Sequence, residues 1–338
     1  MAKISVLGAG SWGTALALLL NNNGHDVTIW SILPEEIEQL KVAHENTRCL
    51  PGVKIPESIK LTADASLATS DKDVLVMAVA SPYVRNTAHH LKDYIKDGQI
   101  IVNVAKGIEE DTLMTLTAVI EEEIPCANVT VLSGPSHAEE VGRGLPTTCV
   151  VGAKDRETAE YLQNIFMSEV FRVYTSPDII GIELGGALKN VIALAAGIAD
   201  GIGYGDNTKA ALITRGMYEI AKLGIAMGGK LETFTGLTGI GDLIVTCASM
   251  HSRNRRAGIL IGQGKSYEEA MKEVNMVVEG VYAAKAAKKL SAKYNVDLPI
   301  VNEVNKILFE GSKPEEAVKE LMLRDKKLES QNHEWNQI

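Results

Sequence analysis

Short apolar runs alternate with helical patterns through the first half of the chain. Lys3–Leu7, Asp26–Trp30, Val74–Val79, Ile100–Ala105, Val129–Leu132 and Thr147–Val151 are continuous apolar segments of strand length. Such runs suit a parallel sheet covered on both faces. Gly13–Asn22, Tyr83–Tyr94 and Leu113–Glu123 carry helical spacing between them. Strand alternating with helix predicts an α/β, doubly wound domain. A last strand, Phe171–Tyr174, precedes Ser176 and Pro177, and the domain boundary is expected at residue 178.

From residue 179 to 338 the periodicity is helical: Ile182–Ala199, Lys209–Met227, Arg255–Ile261, Tyr267–Val274, Gly280–Tyr294, Ile300–Phe309 and Pro314–Leu323. Glycine-rich stretches at Gly201–Asn207 and Gly236–Asp242 read as connections. The second domain is expected to be all-α, and the tail after Asp325 polar and frayed. The Gly/Ala-rich stretch Ile182–Ile202 holds Glu183, Lys189, Asn190 and Asp200, which suits a helix buried in protein better than a membrane span. Ile4–Leu20 is uncharged, but its glycines and polar residues and the absence of a small-residue cleavage site make it a βα unit rather than an export signal.

Composition narrows the classes. The 338 residues suffice for two domains, and 46% apolar with 23% charged residues is globular. A net charge of -9 excludes nucleic acid as the main partner. Cys49, Cys126, Cys149 and Cys247 form no CxxC pair, so a reducing, cytoplasmic setting is expected, with neither disulfides nor a zinc site. His, Cys and carboxylates do not cluster at ligand spacing, so no metal is expected.

Gly8-Ala9-Gly10-Ser11-Trp12-Gly13 follows the first strand and opens a helix. Gly8 permits the tight turn, Gly10 the approach of a pyrophosphate and Gly13 close helix–strand packing, with the helix N-terminus facing the phosphates. The acidic ribose partner expected after the second strand is missing, for the chain there reads Trp30-Ser31-Ile32-Leu33, with no Arg either. Ser31 is a candidate ribose or phosphate donor or an ordinary turn residue, and the choice between NAD(H) and NADP(H) stays open.

Lys189 stands among small and apolar neighbours, so it is desolvated or paired, as a proton donor and acceptor can be, or else it snorkels from a helix end. Lys106 lies just past a strand, where doubly wound folds keep their ligands, or is a solvated loop lysine. Ser252-Arg253-Asn254-Arg255-Arg256 gathers three arginines, suited to phosphate. For Arg255 and Arg256 a solvated helix start is the favoured reading. Asp242 follows Thr238-Gly239-Ile240-Gly241 and can be a helix N-cap.

Together these motifs resemble the bacterial NAD(P)-dependent glycerol-3-phosphate dehydrogenases. The match runs in order through Gly8–Thr14, His44-Glu45-Asn46 with Leu50-Pro51, Lys106–Glu109, Ser133–Ala138, Leu188-Lys189-Asn190, Gly203–Asn207, Gly236–Leu243, Ser252-Arg253-Asn254 and Val278-Glu279-Gly280. The resemblance implies a Rossmann domain, an all-α substrate domain and reversible reduction of dihydroxyacetone phosphate to sn-glycerol 3-phosphate for glycerophospholipid synthesis. It implies Lys189 as general acid/base, with Lys106, Gly134, Ser136, Asp242, Ser252, Arg253 and Asn254 around the substrate. It also implies that Ser11, Trp12, Lys106, Ala138, Arg253 and Glu279 contact the dinucleotide, and a homodimer is expected. The departure at Ser31–Leu33, where many members carry a basic residue, leaves an NADPH preference unsupported. Two alternatives are another Rossmann-plus-helices dehydrogenase, of the 3-hydroxyacid or ketopantoate reductase type, and a dinucleotide sensor without catalysis. Arg253-Asn254 favours a phosphorylated substrate over the first, and the lysine pair argues against the second.

Overall fold

A computed structural model describes residues 1–326, 328 and 329. The tail after Asp325 lies almost wholly outside the described residues. The first half comprises β1 (Lys3–Leu7), α1 (Ser11–Asn22), β2 (Asp26–Trp30), α2 (Pro34–Ala43), β3 (Lys60–Thr62), α3 (Ala65–Thr69), β4 (Val74–Met77) and α4 (Val84–Leu91). It continues with β5 (Ile100–Asn103), α5 (Leu116–Glu123), β6 (Asn128–Ser133), α6 (Ala138–Val141), β7 (Thr147–Gly152), α7 (Arg156–Phe166) and β8 (Phe171–Ser176). The second half is helical: α8 (Ile179–Ile202), α9 (Asp206–Ala226), α10 (Leu231–Phe234), α11 (Asp242–Ala248), α12 (Arg253–Gly262), α13 (Tyr267–Val274), α14 (Glu279–Tyr294), α15 (Pro299–Phe309) and α16 (Pro314–Met322).

The eight strands form one sheet in the order β3-β2-β1-β4-β5-β6-β7-β8. Apolar clusters cover both faces, one built on α1 and α7 and the other on α4 and α5, which explains the continuous apolar strands. The strand order reverses between β1 and β4, and the carboxyl ends of the strands there form the crevice that doubly wound folds use for ligands.

A wholly parallel sheet is corrected at one junction, since β6 and β7 pair antiparallel while β7 and β8 are parallel. The link between β6 and β7 stays at the crevice edge, where Ser136, His137 and Ala138 line the cavity. The chain therefore enters β7 at the edge where it left β6 and runs back. The sequence reading also missed α2, α3, α6, α7, α10, α11 and β3. α2 buries only Ile37 and Leu40, too narrow a stripe to read, whereas α7 is well signalled by Asp155, whose carboxylate accepts from Thr158 N at 2.7 Å.

α8 is the axis of the helical half. Its length and composition would let it cross a membrane, yet 89% of its most apolar window is buried inside this fold. Small residues let α12 pack on it backbone to backbone: a Cβ on Gly197 would stand 2.2 Å from the Arg255 carbonyl oxygen, and one on Gly258 2.3 Å from that of Leu194. Asp178 caps α8 through Gly181 N at 3.0 Å, and the same carboxylate holds Lys230 N at 2.9 Å.

Candidate active site

β1 ends in a turn that only glycine fits. Gly8 has φ +126°, and its Cβ position lies 2.9 Å from the backbone of Ala78. A Cβ on Gly13 would meet the Gly8 carbonyl oxygen at 2.1 Å, while that of Gly10 would meet nothing within 4 Å. The first two glycines thus shape the turn, and Gly10 leaves a space beside the N-terminus of α1. No acidic residue occupies the first turn of α1, and its N-cap, Gly10, has no side chain to close it, so the positive end of the helix is open to an anion. Trp12 Nε1 is also buried without a partner. This cradle suits a dinucleotide pyrophosphate. Asn46, in a motif to which the sequence reading gave no role, braces the turn by donating to Ala9 O at 2.8 Å and Thr14 Oγ1 at 2.9 Å.

A cavity of about 220 Å³ opens from this turn to α8 and α12, lined by Gly10, Ser11, Trp12, Lys106, Ser136, Ala138, Lys189, Ser252, Arg253, Asn254 and Glu279 among others. Gly8 and Gly13 shape the turn behind it. Gly134 and Asp242 join from beneath through the lysines, as follows.

Asp242 is 1% exposed and holds both lysines. Its Oδ2 accepts from Lys106 Nζ and its Oδ1 from Lys189 Nζ, each at 2.6 Å. Lys106 Nζ also donates to Gly134 O at 2.8 Å and approaches Ser136 Oγ at 3.4 Å, which uses its three hydrogens within the protein. Among the described residues Lys189 Nζ donates otherwise only to Thr246 Oγ1, at 2.6 Å, so one N–H remains for the cavity. Thr246 was not foreseen. Its position one turn after Asp242, a candidate helix N-cap at the end of a glycine-rich connection, was the available signal.

Burial lowers the Lys189 pKa to about 8, with Asp242 pulling it up and Lys106 pushing it further down. Burial alone would raise the Asp242 pKa, but the two ammonium groups more than offset it and hold the carboxyl below its usual range. Burial, then Lys189, lowers the His137 pKa on the cavity wall. Asp242 is the first residue of α11 rather than its N-cap, which is Gly241. The preceding turn comes so close to α8 that a Cβ on Gly185 would meet Thr238 O at 2.5 Å, and this approach carries Asp242 to Lys189.

On α12, Ser252 is the N-cap, its Oγ accepting from Arg255 N at 3.2 Å. Asn254 bridges helices, donating to Asn190 Oδ1 at 2.9 Å and accepting from Gly280 N at 2.8 Å. Arg253 pairs with no carboxylate among the described residues. Arg255 is not solvated: it is bound to Asp200 at 2.8 Å, which corrects the earlier reading. The Glu279 carboxylate holds Ser81 through its backbone N at 3.0 Å and through its hydroxyl, tying α14 to the loop after β4. Ser31 does not line the cavity. Its hydroxyl donates to Glu36 Oε2 at 2.7 Å and accepts from Leu33 N at 3.2 Å, both within the stretch just after β2.

A glycine turn open to a dinucleotide, facing a buried lysine with one free N–H, defines a nicotinamide-dependent dehydrogenase of the Rossmann-plus-helices class. Comparison with known proteins narrows this. Residues 3–159 match the NAD-dependent glycerol-3-phosphate dehydrogenase N-terminus and residues 178–319 the corresponding C-terminus. The chain is 65% identical over 334 residues to a glycerol-3-phosphate dehydrogenase [NAD(P)+] of Fusobacterium nucleatum, covering 98% of this chain and 100% of the relative. A relative so described from Agathobacter rectalis is 63% identical over 335 residues, covering 99% and 100%. The solved glycerol-3-phosphate dehydrogenase of Coxiella burnetii superposes with a TM-score of 0.92 at 36% identity, over 96% of this chain and 99% of that one. The chain belongs to the NAD-dependent glycerol-3-phosphate dehydrogenase family.

Proposed function

We propose that this cavity carries out the NAD(P)H-dependent interconversion of dihydroxyacetone phosphate and glycerol 3-phosphate, with Lys189 as the proton donor and acceptor. The observation that carries the assignment is the single N–H of Lys189 left free by Asp242 and Thr246. Gly10, Ser11 and Trp12 would hold the dinucleotide phosphates. When bound, NAD(P)H supplies a hydride to the substrate carbonyl carbon. Negative charge then grows on the carbonyl oxygen, where the Lys189 ammonium stabilises it and gives up its proton. In the reverse direction the neutral amine takes the hydroxyl proton. Lys106 holds Asp242 in place and adds positive charge beside the substrate.

The pKa of about 8 sets the window of the pH dependence, and the protonation state each direction needs sets its sign. Reduction needs the ammonium, so kcat/KM for dihydroxyacetone phosphate is expected to fall as pH rises through that value. Oxidation of glycerol 3-phosphate needs the amine and is expected to rise over the same window. Initial rates in both directions from pH 6 to 10 check this, and parallel profiles would overturn the assignment.

Arg253, without a carboxylate partner among the described residues, is proposed to grip the substrate phosphate, with Ser252 and Asn254 beside it. Hydrogen bonds to charged groups are worth about 1.5–3 kcal/mol, so Arg253→Ala should cost roughly ten- to a hundredfold in kcat/KM. It should also narrow the preference for dihydroxyacetone phosphate over dihydroxyacetone, with NADH affinity as the control. An undiminished preference would place the phosphate elsewhere.

Four free cysteines support a cytoplasmic setting. Tyr218 and Ile225, exposed two turns apart on α9, support a homodimer, which sedimentation tests. The product suits supply of glycerophospholipid synthesis.

A further inference from the structure

α8 buries two ionisable side chains, Lys189 and Glu183, each 6% exposed, and the proton transfer uses only the first. The Glu183 carboxyl group is a meeting point of three donors. Its Oε1 accepts from Thr117 N at 2.9 Å and from Asn103 Nδ2 at 3.4 Å, and its Oε2 from the Thr117 hydroxyl. Asn103 is fully buried at the end of β5. The same carboxamide clamps Ala105, accepting from its N–H at 3.1 Å and donating to its carbonyl oxygen at 3.2 Å. Ala105 is the residue before Lys106. Two side chains therefore connect α8 to the backbone that carries the second lysine.

The link lies close to the chemistry. Six residues of α-helix rise about 9 Å, so Glu183 and Lys189 are less than two turns apart. The stem of Lys106 crosses α8 between them, its Cγ 3.5 Å from the place a Cβ on Gly186 would take. Both lysines then end on Asp242. A shift of the loop at Ala105 relative to α8 would draw Lys106 away from a carboxylate whose other oxygen holds Lys189.

We propose that Glu183, acting through Asn103, is a positioning residue that sets the placement of Lys106 and Lys189 on Asp242. Burial raises the Glu183 pKa, a cost that an apolar side chain would avoid. An apolar side chain would also take the acceptor from Thr117 N and from one N–H of Asn103, both buried there. Glutamine has the shape and the acceptor to satisfy both, and its amide can donate to the Thr117 hydroxyl.

The inference rests on Lys189 being the proton donor, and its test reads a quantity that general loosening of the fold would not move. Lys189 is faced by Asp242, Lys106, His137 and Cys247. Lys106 lowers the Lys189 pKa, so withdrawing Lys106 should raise it and move the alkaline limb of kcat/KM to higher pH. Glu183→Met is expected to lower kcat roughly tenfold to a hundredfold, the range that a small misplacement of catalytic groups produces. NADH affinity should change far less than kcat, because the glycine turn is untouched. Glu183→Gln should retain kcat within about threefold and leave the limb in place, since its hydrogen bonds are kept.

If Glu183→Met does not fold, Asn103→Ala breaks the link at its other end and should move the limb in the same direction. A lower kcat with an unmoved limb, a Gln variant as impaired as Met, or wild-type kinetics in the variants would overturn the proposal. The separate reading of Lys189 is tested apart from this, by whether Lys189→Met retains turnover.

Discussion

Lys189→Met is expected to lower kcat by about 10²- to 10⁴-fold, the usual contribution of a positioned general acid/base. Methionine approximates the length of the lysine stem and fills the same space among the small neighbours of α8, so the helix should pack as before. The loss is confined to the ammonium group, with its bonds to Asp242 and Thr246 and the N–H that faces the cavity. Lys106 still occupies Asp242 Oδ2, so the carboxylate keeps a counter-charge. NADH binding, followed by cofactor fluorescence, should remain near wild type, since Gly10 and the start of α1 lie on the other domain. Near-normal turnover in a folded variant would remove Lys189 from the mechanism and leave Lys106 as the next proton donor to test.

The contrast between the two lysines was invisible in the sequence. Both stood in informative places, Lys189 among apolar residues and Lys106 beyond a strand, and either was open to a bland reading. Hydrogen-bond accounting separates them, because Lys106 spends its donors on Gly134, Ser136 and Asp242 while Lys189 keeps one. The glycine turn was legible because a short fixed spacing carries its own geometry. The alternating first half and helical second half were legible from periodicity for the same reason. Features that depend on residues distant in sequence were not. Asn46 lies 37 residues from Ala9, and Glu183 lies 80 residues from Asn103. Ser31 shows another limit, since its position just past β2 was open to a ligand donor or a turn residue, and its hydroxyl bond to Glu36, in the first turn of the next helix, could not be read from the sequence. Arg255 was read as solvated because its partner, Asp200, sits on another helix.

Asp242→Asn should separate charge from geometry at the centre of the site. The carboxylate is buried and accepts from two ammonium groups, so neutralising it leaves two like charges facing each other with one amide oxygen to share. Breaking a buried ion pair by removing one partner typically costs about 3–5 kcal/mol, and the midpoint of thermal unfolding should fall accordingly. The kinetic consequence has a definite sign. Asp242 raises the Lys189 pKa while burial and Lys106 lower it, so without the carboxylate the pKa must drop below its value of about 8. The ammonium needed for reduction is then depleted near neutral pH. The kcat/KM for dihydroxyacetone phosphate should fall by at least about 10²-fold at pH 7.5, a loss on the scale of general acid catalysis. The alkaline limb should shift to lower pH, with partial recovery on acidification. This is the reverse of the shift expected when Glu183→Met lets Lys106 recede, so the two variants measure the two neighbours of Lys189 independently. A limb that stays put in a folded Asp242→Asn enzyme would show that the titrating group is not Lys189.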